Sequence, residues 1–179
     1  MLEIIIKEEE LYQPNLNKFI NIPSCILTLE HSLISLAKWE SKWHTPYLSN
    51  TQKTAEQELD YIRCMVIGNT PNQYIFDALS VENILKIKEY IDNSMTATTF
   101  SKSTSKSKKE TITAEVLYSR MCANNIPIEC QKWHLNRLLT LIRVCDLNSG
   151  PKQKMTKRDT ATWMAEQNAM RRAKFNTKG

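Results

Sequence analysis

Residues 130–145, CQKWHLNRLLTLIRVC, gather the side chains best equipped for chemistry in this chain. Cys130 and His134 stand one helical turn apart, so both could face one ion or act as nucleophile and base. Zinc asks for four ligands, commonly in close pairs such as C-x₂-C. The five cysteines (25, 64, 122, 130 and 145) are scattered and make no such pair, which leaves the metal set short. A thiol on the apolar side of a buried helix is inert rather than activated. His134 therefore reads as a satisfied core histidine. His31 and His44 have no metal-like partner and default to the surface. With no paired-carboxylate or serine-centred motif elsewhere, the expectation is a protein that is not an enzyme and holds no metal or cofactor.

The three glycines (Gly68, Gly150 and Gly179) rule out a glycine-rich phosphate loop and leave few tight hairpins. A mainly α fold follows. No apolar run reaches the roughly 20 residues that span a bilayer. The start, MLEIIIKEEELY, lacks the basic flank and long apolar centre of a signal peptide. The odd, scattered cysteines fit reduced thiols in a cytosol. Charge is uneven: residues 1–97 hold 8 Lys and Arg against 13 Asp and Glu, whereas residues 150–179 hold 8 against 2. The body is acidic and the tail basic. Such a tail suits nucleic acid, an acidic partner, or the acidic body of another copy.

Four segments must position these residues. Residues 1–97 hold a small N-terminal β-hairpin, its strands at 2–7 and 19–22, and three helices. The first helix is capped by Thr28 and runs through LEHSLISLAKWESKW until Pro46 stops it. The second opens on a capping box, Thr54 to Gln57, and the third on Ser80. Residues 98–112, rich in Ser, Thr and Lys, form a linker that buries almost nothing. Residues 113–149 hold two core helices, one capped by Thr113 and one containing CQKWHLNRLLTLIRVC, that pack on the N-terminal part. Residues 150–179 form a basic, peripheral C-terminal helix and tail.

The expected core includes Leu33, Leu36, Trp43, Trp133, Leu138, Leu141 and Ile142. On the fifth helix Arg137 interrupts the apolar arc, and Glu40 does so on the first. An unpaired buried charge costs several kcal/mol, so the two are expected to face each other, with His134 as the alternative donor. In the last helix Trp163, Met164 and Met170, beside Arg171 and Arg172, are the expected partner-binding residues.

Taken in order, LTLEHSLISLAKWESKWHTPYL, DYIRCM, MTATTF, IPIECQKWHLNRLLTLIRVC and NAMRRAKFNTKG resemble the tail assembly chaperones of long-tailed bacteriophages. No single motif is diagnostic; their order carries the likeness, from the first strand to the C-terminus. The resemblance implies a small helical protein in the cytoplasm of the infected bacterial host. It would bind the tape measure protein, a long helical chain with apolar stripes, and keep it soluble until the tail tube polymerises around it. Many members also occur in a longer, frameshifted form. The rival reading is a small phage nucleic-acid-binding or structural virion protein acting through its basic tail. Against nucleic acid, the aromatics fall in core stripes rather than beside the basic residues, so no stacking platform forms. Self-association remains open, and no membrane contact is expected.

Overall fold

The computed structural model describes residues 1–14, 17–50, 52–68, 72–100, 111–149 and 157–175. The chain divides into two compact units, Met1–Asp146 and Leu147–Gly179. Most of the expected 98–112 linker lies outside the described residues.

The first unit begins with two nested antiparallel pairs. Strand β1 (Leu2–Ile6) pairs with β4 (Cys25–Leu29), and β2 (Glu9–Gln13) pairs with β3 (Lys18–Ile22) between them. Thus the small N-terminal hairpin is present, but its strands differ from the expectation: residues 19–22 join 9–13, and residues 2–6 join 25–29. The register explains the choice. It sets Leu2 opposite Leu29, Ile4 opposite Leu27 and Ile6 opposite Cys25, so the period-2 side chains of both strands bury one face. Ile4, Ile6, Leu27 and Leu29 are buried, while the facing pair Ile5 and Ile26 looks outward.

Thr28 is consequently a strand residue, not a helix cap. The cap of α1 (Leu33–Trp43) is Ser32, whose Oγ accepts the Ser35 backbone N–H. The helix ends at His44 in the left-handed region, its N–H donating to the Glu40 carbonyl, with Pro46 close behind. The capping box of Thr54 and Gln57 opens α2 (Ala55–Met65) as expected, Ser80 caps α3 (Val81–Asp92), and Thr113 caps α4 (Ala114–Ala123). Each side-chain oxygen satisfies one of the orphan N–H groups at a helix start.

CQKWHLNRLLTLIRVC is not one helix. Residues Ile128–Lys132 make a 3₁₀ turn, Trp133 is extended, and α5 runs from Leu135 to Ser149. The break exists because His134 forms a bridge with Ser32, and the Leu135 N–H donates to the His31 carbonyl at 2.7 Å. The approach to α5 is thereby stitched to the approach to α1.

Two apolar clusters flank α1. Trp39 packs with Ile4, Ile6, Ile22, Leu29, Tyr61, Met65 and Ile87, drawn from the strands, α2 and α3. Leu33 and Leu36 pack with Leu117 and Met121 of α4 and Leu135, Leu138 and Ile142 of α5. Of the expected core, Leu33, Leu36, Leu138 and Ile142 are buried; Trp43, Trp133 and Leu141 are only partly so.

In the second unit, α6 (Lys157–Phe175) presents Trp163, Met164, Met170 and Phe175, each half-exposed or more. Among the described residues, no helix is long and apolar enough to cross a membrane.

Candidate functional site

The expected pair of Glu40 and Arg137 does not form. Glu40 is buried, and its two carboxylate oxygens accept backbone N–H groups, Tyr47 at 2.8 Å and Ala114 at 2.7 Å. The carboxylate thus sits on the first turn of α4, where unsatisfied N–H groups and the helix dipole favour an anion. Arg137 is exposed, its guanidinium 4.2 Å above the Trp133 ring. The alternative donor is also engaged elsewhere: His134 Nε2 contacts the Tyr90 carbonyl at 2.9 Å. A carbonyl only accepts, so Nε2 carries the hydrogen. His134 Nδ1 is buried with no hydrogen-bond partner among the described residues, so the histidine is a core residue only half satisfied. Since the helix breaks between them, Cys130 and His134 do not share a helix face.

A second buried acid in α1's neighbourhood follows similar logic. Asp60 on α2 accepts from Lys42 Nζ and, at 2.9 Å, from the indole N–H of Trp43. Burial pushes its carboxyl up, but those two hydrogen bonds and the charges of Lys42 and Arg63 outweigh burial and hold it below the usual carboxylate range.

A row of buried polar groups runs between the two clusters. His31, expected at the surface, is 2% exposed. Its Nδ1 shares a 2.6 Å hydrogen bond with the Tyr61 hydroxyl, and its ring meets that of His134 edge-on at 5.0 Å. Burial first, and the neighbouring His134 second, lower the His31 pKa to about 3. The imidazole is therefore neutral at ordinary pH, and burial likewise keeps the Tyr61 phenol protonated. Next in the row, Glu30 accepts the Tyr90 hydroxyl at 2.7 Å and the Met1 ammonium at 3.0 Å. His134 and Asn136 also satisfy the last carbonyls of α3, since Asn136 donates to Ile91 and Asn93.

Above this row opens a hollow of about 810 Å³. Its walls come from five places in the chain: Met1, the start of α1, the end of α2 with residues 66–68, the C-terminal end of α3 with Met95, and the approach to α5 with its first turn. Residues 65–67 are held in place as an extra edge of β4. The Glu30 N–H donates to the Met65 carbonyl, the Ile67 N–H donates to the Thr28 carbonyl, and Leu29 bridges Val66. The apolar lining is Ile34, Met65, Val66, Ile67, Met95 and Trp133. Glu30, Tyr90 and His134 supply the polar part, and Lys38, Lys132 and Arg137 supply positive charge. Such a site can seat apolar side chains and fix nearby carboxylates.

Of the sequence-predicted site residues, only Trp133 and Arg137 reach this hollow, alongside His134, which was expected in the core. Trp163, Met164, Met170, Arg171 and Arg172 lie on α6 in the other unit, exposed. Sequence reasoning passed over Glu30, Lys38 and residues 65–67. Comparison with known protein families, curated proteins and solved structures finds no match to this chain.

Proposed function

We propose that the chain is a tail assembly chaperone of a long-tailed bacteriophage, which binds the tape measure protein and keeps it soluble until the tail tube polymerises around it. The observation that carries this reading is the exposed apolar surface of the described residues. The body has an open hollow lined by Ile67, Met95 and Trp133, and α6 exposes Trp163, Met164 and Met170. An amphipathic rod waiting for its tube needs contacts of this kind, numerous and reversible, or its stripes aggregate. The order of sequence segments that resembles this family supports the same reading. In it, the protein works in the cytoplasm of the infected bacterium by binding alone, without catalysis or cofactor.

The test is co-expression with the tape measure protein encoded by the same phage. Soluble tape measure protein, recovered in a complex only when this chain is present, is the expected result. Tape measure protein that stays insoluble, together with salt-sensitive DNA binding lost on deleting residues 151–179, would favour the nucleic-acid reading.

A further inference from the structure

We propose that the hollow between α1, α2, α3 and the approach to α5 is the partner-binding groove, and that it takes a helical segment whose apolar stripe is flanked by carboxylates. This rests on the chaperone reading for the helical nature of the partner; the charge of the flanks comes from the groove itself.

The lining divides by chemistry. Ile67 and Met95 are 48% and 39% exposed, and with Val66 and Trp133 they give an apolar surface that the described residues of Met1–Asp146 leave open. Lys38, Lys132 and Arg137, all exposed, stand around it. Among the described residues none of the three lies in an ion pair, whereas Lys42, Lys86 and Lys88 each do. The carboxylate in the hollow, Glu30, is already occupied by Tyr90 and the Met1 ammonium. Lys38 belongs to residues 1–97, which are net acidic, and Lys132 and Arg137 join it from residues 113–149, so three uncommitted cations surround one apolar opening. The Arg137 guanidinium lies 4.2 Å over the Trp133 ring, a contact through its face that leaves its N–H fork for a carboxylate, which arginine suits.

The same charges exclude the nearest competitor. Residues 157–175 carry five Lys and Arg against two Asp and Glu, so α6 of another copy would be repelled from this opening. A phosphate backbone would satisfy the cations but leave the apolar lining uncovered.

The experiment uses the full chain and two labelled helical peptides of about 20 residues, each with a leucine stripe at i, i+3, i+4 and i+7. One peptide carries Glu beside the stripe and the other Lys. The Glu-flanked peptide should bind about tenfold more tightly at low salt and lose that advantage as salt rises. In K38E/K132E/R137E the preference should reverse; all three side chains are exposed, and circular dichroism checks that the fold is kept. Ile67→Asp should weaken both peptides. Equal binding of the two peptides, an unchanged preference in the triple variant, or tighter binding of a single-stranded oligonucleotide overturns the proposal. If wild-type and triple-variant chains keep tape measure protein equally soluble, the groove assignment falls and the chaperone reading stands. If the wild type fails to keep it soluble yet discriminates between the peptides, the chaperone reading falls and the groove stands.

Discussion

The two apolar clusters on either side of α1 are assembled differently. The first draws on the strands, α2 and α3, and is rich in aromatics that also make hydrogen bonds: the Trp39 indole donates to the Gln57 carbonyl at 2.9 Å, and Tyr61 bonds to His31. The second is mostly aliphatic, with α4 and α5 supplied from the far side of residues 101–110. Polar links at its edge bring α4 and α5 to α1: the Glu40 carboxylate on the Ala114 N–H, 74 residues away, and the Leu135 N–H on the His31 carbonyl. The first cluster is secured through its own side chains. The second is positioned largely by a buried anion and by backbone.

Breaking the first cluster should have the largest effect. Trp39→Ala removes a fully buried ring and its bond to Gln57, and should cost about 3–5 kcal/mol in denaturant unfolding. A loss under about 1 kcal/mol would mean that this core recloses around the gap and is no more tightly specified than its neighbour.

The boundary between the clusters should respond to acid. The His31 pKa is lowered in the folded chain from 6.5 to about 3, so within that window the unfolded chain holds a proton that the folded chain lacks. Stability is then complete above pH 6.5 and falls as pH drops toward 3, by about 1.4 kcal/mol per unit at the steepest. Unfolding measured between pH 6.5 and 5 keeps clear of Asp60, whose lowered pKa matters only below the usual carboxylate range. His31→Gln should flatten the slope; an unchanged slope would assign it to another group.

The smallest effect sharpens the contrast. Glu40→Gln should cost about 1–3 kcal/mol, because one amide oxygen cannot serve two buried N–H groups as a carboxylate does. Amide exchange should speed at Tyr47 and Ala114 while the strands stay protected. Arg137→Met should change stability by less than about 0.5 kcal/mol, and the double mutant should be additive. A recovery of stability in the double mutant would restore the ion pair that this geometry denies.

These outcomes bear on what could be read from residues alone. The caps at Thr54, Ser80 and Thr113 were legible because an N-cap and the N–H it serves are two or three positions apart. The start of α1 was not. Leu27 and Leu29 alternate as a strand requires, yet with Leu33 and Leu36 they also continue a helical stripe, and Thr28 sits where a cap would. Only pairing with Leu2–Ile6 decides between the two periods. Glu40 was recognisable as a charge on an apolar arc that needed partners. Its partners are backbone N–H groups, which leave no mark in the sequence, so arginine looked the better match. The hollow was invisible for a similar reason, since its walls come from five separated segments. The exposed apolar residues of α6 needed no tertiary information, and Trp163 and Met170 could be read directly as an unburied stripe.

The nesting of β2 and β3 inside β1 and β4 sets an order of events for the folding chain. Closing the outer pair first would mean bringing Ile6 to Cys25 across an unstructured intervening segment, with the loop entropy that entails. The inner pair needs only the short turn around Pro14 and Asn17, helped by the Tyr12 hydroxyl donating to the Asn17 side chain at 2.6 Å. Once the inner pair has closed, Ile22 and Glu9 are adjacent, and the remaining gap to the outer pair is a few residues on each side. The four strands thus close like a zip from the inside outward, and the turn at Pro14 becomes the place where the speed of folding is set.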